Sequence, residues 1–309
     1  MKSQDRDARA MGRATVSGVV SRLGVSLALA VAAVSVAAAT AAAAHPYIYW
    51  TDYGHGGNGG SIARANLDGS GSNLHFITGA AGPVGVTVAG RYVYWSNPSV
   101  ASGSPGTTIG RAVVSGAGAN MQFLKGAQGP HSVVVSGPYI YWANRLVNTI
   151  GRARIDGSGV SNSFITGAEG PWGIAIAGHF IYWTNYGAGG GSSGTTVGRA
   201  NLDGTGVNQS FITGASSPSG ITVAGRFIYW SNDAGGSGTT IGRATLGGGN
   251  VNQSFITGAS NPGGVAVYRG FIYWANAATG TIGRARLNGT GANQSFIRGA
   301  GTPLGICVG

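Results

Sequence analysis

One dipeptide recurs six times along this chain, as Tyr49-Trp50, Tyr94-Trp95, Tyr141-Trp142, Tyr182-Trp183, Tyr229-Trp230 and Tyr273-Trp274. From tryptophan to tryptophan the steps are 45, 47, 41, 47 and 44 residues, a period that suits one four-stranded blade of a propeller. Each unit holds four candidate strands. In the fourth unit they are 172–177, 179–185, 196–202 and 208–213, all rich in β-branched and aromatic residues. The second of these is apolar on both sides of its pleat, with Phe180 and Tyr182 alternating with Ile181 and Trp183. Both faces of such a sheet must be covered, and radial stacking of blades does this.

The turns agree. Asp68-Gly69, Asp156-Gly157, Asp203-Gly204 and Asn288-Gly289 stand between third and fourth strands, where a tight hairpin needs a positive φ. Ser115-Gly116 and Gly247-Gly248 replace them in units two and five. The segment 47–50 is a second-type strand with no first strand before it, and 303–309 is a first-type strand with no second after it. Together they complete one blade. The expected fold is therefore all-β: a six-bladed β-propeller of four-stranded antiparallel blades, closed by pairing the C-terminal strand with the N-terminal blade. Glycine at 59 residues and charged residues at 9% fit short strands and tight turns better than a helical or α/β enzyme.

Residues 1–44 differ from the rest. Lys2, Arg6, Arg9, Arg13 and Arg22 precede an alanine-rich apolar run from Leu23, and Ala42-Ala43-Ala44 precedes His45. This is the layout of a secretory signal peptide cleaved after Ala44. An uncleaved membrane anchor is the alternative reading of the same run. Residues 45–309 are then an exported propeller, secreted and monomeric, with no further membrane insertion. Cys307 is the single cysteine, so an intrachain disulfide and a cysteine-rich metal cluster are excluded. Residues 45–309 carry 14 basic and 6 acidic residues, a surplus that attracts anionic partners without choosing among them. No basic stretch interleaved with aromatics argues for nucleic acid.

Tyr49-Trp50-Thr51-Asp52, then Ile62-Ala63-Arg64-Ala65-Asn66-Leu67-Asp68-Gly69, then Gly82-Pro83-Val84-Gly85 resembles one complete repeat of the YWTD, or low-density-lipoprotein-receptor class B, family. The other five units follow the same order, so the resemblance covers 45–309. It implies a six-bladed propeller that binds extracellular partners on one face and performs no chemistry. The motif's aspartate survives only as Asp52, with Asn97, Asn144, Asn185, Asn232 and Asn276 in its place. Asparagine keeps an acceptor and adds a donor, which suits a structural hydrogen-bonding role. The cysteine-rich module that the receptors pack against their propeller has no counterpart here.

The six arginines Arg64, Arg111, Arg152, Arg199, Arg243 and Arg284 share one position and are expected to hydrogen-bond carbonyls between blades, not to form an anion-binding ring. The Tyr-Trp pairs are expected in the core. The residue after the proline that opens each first strand varies: Val84, His131, Trp172, Ser219, Gly263 and Leu304. That position should lie at one mouth of the central channel, where a repeated frame can place specificity. His131, Trp172 and Glu169, the only glutamate, are candidates there for polar ligand binding or an acid/base pair. The glycine-rich connections between second and third strands belong to the same face; they hold Tyr53, His55, Arg145, Tyr186 and Asp233, and add Tyr53, Arg145 and Tyr186 as candidates. The few carboxylates, three of them in hairpins, and the scattered histidines predict no metal and no cofactor. The expected function is a binding scaffold, not an enzyme, for an extracellular protein or cell-surface glycan. A lectin, and an extracellular polymer lyase or hydrolase using His131 and Glu169, are the alternatives.

Overall fold

The computed structural model describes residues 46–54, 60–99, 105–187 and 192–309. The signal-like segment, His45 and His55 lie outside the described residues. Six four-stranded antiparallel sheets form the fold, as the sequence repeat predicts. Blade 4 runs Pro171–Ala177, Phe180–Asn185, Thr196–Asn201 and Asn208–Ile212 from the axis outward. Blade 1 is the composite: Pro303–Val308 supplies its first strand, beside Tyr47–Asp52, Gly60–Asn66 and Asn73–Ala80. The closing pair sets Tyr49 opposite Cys307 and Trp50 opposite Ile306, and Tyr47 and Gly309 exchange two backbone hydrogen bonds.

Each Tyr-Trp pair spans two interfaces, because adjacent side chains on a strand point to opposite faces. Tyr141 packs with Trp183 between blades 3 and 4, Tyr182 with Trp230 between blades 4 and 5, and Tyr273 with Trp50 across the seam. The six tryptophans of these pairs are fully buried. In five blades a glycine lies opposite the indole, and a Cβ there would sit only 2.1–2.4 Å from the ring: Gly110, Gly151, Gly198, Gly242 and Gly283. Ala63 occupies that position in blade 1, and there the Trp50 indole donates to Ala300 O (3.0 Å).

The asparagines at the ends of the second strands are structural. Asn185 Oδ1 accepts from Glu169 N (3.0 Å) while its Nδ2 donates to Thr196 Oγ1 and Gln209 O (both 2.9 Å). Asn97, Asn144, Asn232 and Asn276 tie their blades together in the same way. Asp52 keeps only the acceptor half, receiving Thr302 N and Gly54 N.

The repeated arginines are held differently from the expectation. Each guanidinium lies between two aromatic rings, as Arg199 does between Phe180 (4.5 Å) and Phe211 (4.1 Å), and Arg284 between Phe271 (4.7 Å) and Phe296 (3.8 Å). Arg64 adds a bond to Val114 O of the next blade (3.3 Å). Stacking on ring faces, not carbonyl bonding, is the feature common to all six.

Candidate functional site at the channel mouth

The first strands line a central cavity of about 240 Å³, with His131 and Trp172 among its walls. Their backbones are pinned from the neighbouring blade. Thr51 Oγ1 donates to Val84 O (3.0 Å), Ser96 Oγ to His131 O (2.7 Å) and Thr184 Oγ1 to Ser219 O (2.6 Å). The same hydroxyls accept Gly305 N, Gly85 N and Gly173 N. The next residue must be small: a Cβ on Gly305 would lie 2.2 Å from Val84 O, and one on Gly85 2.5 Å from His131 O. Blade 3 has Ser132 there, and its Oγ accepts Ile174 N of blade 4 (3.2 Å). Because the frame is fixed through carbonyls and amides, the side chain after each proline is free to vary.

His131, Trp172, Tyr186 and Arg145 come together. The Trp172 ring centroid is 4.4 Å from that of His131, at 63°, and 4.5 Å from that of Tyr186, at 34°. Arg145 places its guanidinium 4.9 Å from the Trp172 centroid and 5.1 Å from that of Tyr186. Its position follows from a short connection in blade 3. The chain makes one 3-10 turn over Arg145–Val147 and leaves it through Asn148 at φ 58°, in the left-handed region that asparagine tolerates. Asn148 Oδ1 then accepts Gly170 N of blade 4 (2.9 Å). Gly129 O serves both sides of the cluster, accepting Arg145 N (3.3 Å) and facing His131 Nδ1 (3.0 Å).

The electrostatics follow from burial. His131 is 9% exposed, and burial, helped by Arg145, pushes its pKa down to about 4 against the pull of Gly129 O. It is therefore neutral near pH 7, with the Nδ1 proton on the carbonyl. Tyr186 donates a 2.6 Å hydrogen bond to Asp233 Oδ2 of blade 5. Burial, then the Asp233 carboxylate, push its phenol well above the usual range, so it stays a donor. Burial also raises the Asp233 carboxyl, opposed by the bonds from Tyr186 and Gly236 N and by the Arg145 charge.

Asp233, one of the residues on these connections, belongs to this cluster although it is not among the ligand-binding candidates. Its sequence signal is positional: it follows Asn232 as Tyr186 follows Asn185 and Arg145 follows Asn144. Leu146 and Val147, beside Arg145, are 55% and 46% exposed. Two expected residues stand apart. Glu169 is exposed, and its backbone does the holding, through its N to Asn185 and its O from Gly187 N. Its carboxylate forms no hydrogen bond to His131, so the acid/base pair considered from the sequence is not assembled. Tyr53 occupies the equivalent loop of blade 1, two blades round the ring from Arg145, and its N donates to Thr302 O. Among the described residues no group of three or more His, Cys, Asp or Glu is placed to hold a metal ion.

No protein-family model matches the chain, and no curated protein does. Among solved structures, one chain from the crystal structure of a nidogen/laminin complex aligns with a TM-score of 0.66 at 17% identity, over 85% of this chain and 98% of that one. Selenomethionine-substituted virginiamycin B lyase from Staphylococcus aureus aligns with a TM-score of 0.56 at 21% identity, over 85% of this chain and 88% of that one. At these identities the likeness is one of architecture, and what this chain shares with both is the β-propeller fold.

Proposed function

We propose that this chain is a non-enzymatic binding scaffold that engages an extracellular protein through the channel-mouth face, centred on the rim of blades 3 to 5. One observation carries the reading: a cation, a carboxylate, two aromatic rings and two exposed aliphatic side chains stand on three adjacent blades. The remaining rim positions hold Ser219, Gly263, Leu304, Val84, Ala277, Tyr53 and Pro98. Aromatic and arginine anchors beside exposed apolar groups are what a protein interface uses at its centre.

A protein partner suits the rim better than a sugar. Trp172 is only partly exposed and has three groups within 5 Å of its centroid, whereas a sugar platform needs an open ring face. The nidogen/laminin structure, a complex between proteins, supports a binding role for this architecture. The lyase with the same fold keeps a catalytic reading in view, but that reading lacks the His131–Glu169 pair it would need.

The test is binding of residues 45–309 to arrayed extracellular proteins and to arrayed glycans at low and high salt, using the wild type, Leu146→Asp and Trp172→Ala. The expected result is saturable protein binding that survives high salt and weakens about tenfold or more in both variants, as anchor residues do, with melting unchanged in Leu146→Asp. Saturable binding to glycans alone would replace this reading with a lectin. Protein binding unaffected by either variant would move the site elsewhere.

A further inference from the structure

The two ends of the propeller differ sharply in charge. The hairpins joining first to second strands and those joining third to fourth lie at one end. Val114 N to Arg91 O, Ile155 N to Pro138 O, Leu202 N to His179 O and Leu246 N to Arg226 O tie them together, blade by blade. The connections that carry the Trp172 cluster lie at the other. Of the 14 basic residues in 45–309, only Lys125, Arg145 and Arg298 stand at the channel-mouth end, matched there by Asp52, Glu169 and Asp233. The other 11 stand at the hairpin end with three acids, Asp68, Asp156 and Asp203. The whole surplus of eight positive charges therefore sits on one face.

These charges are not consumed internally. The six stacked arginines lean on ring faces, and none makes an ion pair among the described residues. Five more, Arg91, Arg154, Arg226, Arg269 and Arg286, are exposed. The three aspartates are occupied within their own turns, each accepting a backbone N–H and a hydroxyl two residues on. The stacked arginines hold one register position in every blade, so they stand at one depth around the axis. A linear polyanion crossing the ring would meet only some of them. A planar array of anions faces the whole ring of charge at once. Exposed Val160, Val207 and Val251, at 42%, 43% and 43%, project from the third-to-fourth-strand hairpins of blades 3, 4 and 5 at the same end. A basic surface with apolar tips is the composition of a membrane-surface contact.

We infer that the hairpin face is a second docking surface, independent of the rim of blades 3 to 5, and that it lies against a phospholipid bilayer carrying anionic headgroups. Each arginine near such a surface strengthens attraction to it, and the valines enter the headgroup region.

The closed ring contains all six cores, so residues 45–309 can be tested directly by co-sedimentation with phosphatidylcholine vesicles with and without phosphatidylglycerol. Expected is binding to the anionic vesicles only, decreasing with salt. It should fall at least about tenfold when Arg91, Arg154, Arg226, Arg269 and Arg286 are all changed to Gln, since each contributes near an anionic surface. The Lys125→Gln/Arg298→Gln pair, at the other end, should bind as the wild type does. These seven side chains are exposed, so a matching melting profile certifies each variant. Equal binding to neutral vesicles, or no loss in the five-fold variant, would overturn the proposal. So would absence of vesicle binding alongside arginine-dependent capture of a sulfated polysaccharide or of DNA, which would assign the face to a linear polyanion.

Discussion

Blades 3 to 5 and blades 6, 1 and 2 are built on one frame and differ in what that frame presents. In the first half the rim holds His131, Arg145, Trp172, Tyr186 and Asp233, and every core indole has a side-chain acceptor. Trp142 donates to Asn144, Trp183 to Gln209, and Trp230 to Asn232 and Gln253. In the second half the rim is mostly small or aliphatic, the ring is sealed between chain ends, and the buried Trp95 Nε1 has no partner. The difference separates two kinds of position. Rim side chains vary at little cost because the frame is pinned through backbone atoms, whereas variation at the closing strand or in the indole network falls on groups that have no other way to be satisfied.

The largest expected effect breaks the plain half at its seam. Deleting 303–309 removes the buried Ile306, the Tyr47–Gly309 backbone pair and the Gly305–Thr51 bond, and leaves Tyr47–Asp52 as an open edge beside an exposed inter-blade core. The full ring should melt in one cooperative transition and the truncated chain should not. An unchanged melt would mean that the blades hold without closure.

A smaller effect removes one distinction between the halves. His131 is held near pKa 4 when folded and returns to about 6.5 when unfolded. Between these values the unfolded chain binds the extra proton, so stability rises with pH across the window and is lost as pH falls through it. The loss at the acid end is about 3 kcal/mol for a shift of this size. His131→Leu, which copies Leu304 of blade 1, should flatten this slope in denaturant titrations run across the window. A slope that persists would place the acid sensitivity in another group.

The frame was legible from the sequence because it repeats: period, strand order, seam and core indoles all follow from six copies of one pattern. The rim was half legible. The position after the proline identified His131 and Trp172, because a repeat makes a departure visible. It did not say which way a neighbouring loop residue turns. Glu169 looked like a partner for His131, yet its amide is claimed by Asn185 and its carboxylate faces solvent. Asp233 was visible as a loop residue, but its bond to Tyr186 joins residues 47 positions apart in different blades, and no local pattern announces it. Five N–H groups on a guanidinium point to hydrogen bonding as the arginines' role. Their actual partners, an aromatic at the start of the second strand and a phenylalanine in the fourth, are repeated in all six units, so the sequence carries that signal as plainly as it carries the arginine.

The smallest effect repairs the second half. Fourth strands in blades 4, 5 and 6 carry Gln209, Gln253 and Gln294, whose Oε1 accepts the indole N–H and whose Nε2 donates to Thr166, Thr213 and Thr257 O of the preceding blade. Blade 2 has Met121 at this position, and a thioether accepts too weakly to replace an amide oxygen. With no glutamine there, and with Asn97 not accepting it as Asn144 accepts Trp142, Trp95 Nε1 is left alone in a buried site. Met121→Gln should let Oε1 reach Trp95 and Nε2 reach Thr78 O of blade 1, the carbonyl equivalent to the other three. Satisfying one buried donor is expected to stabilise by about 1 kcal/mol, reduced by the apolar surface methionine now covers. Denaturant midpoints should rise in Met121→Gln, while the reverse change Gln209→Met in blade 4 should lower them by a similar amount. If both changes leave the midpoint where it is, the indole bonds are incidental, and the contrast between the two halves lies in the rim alone.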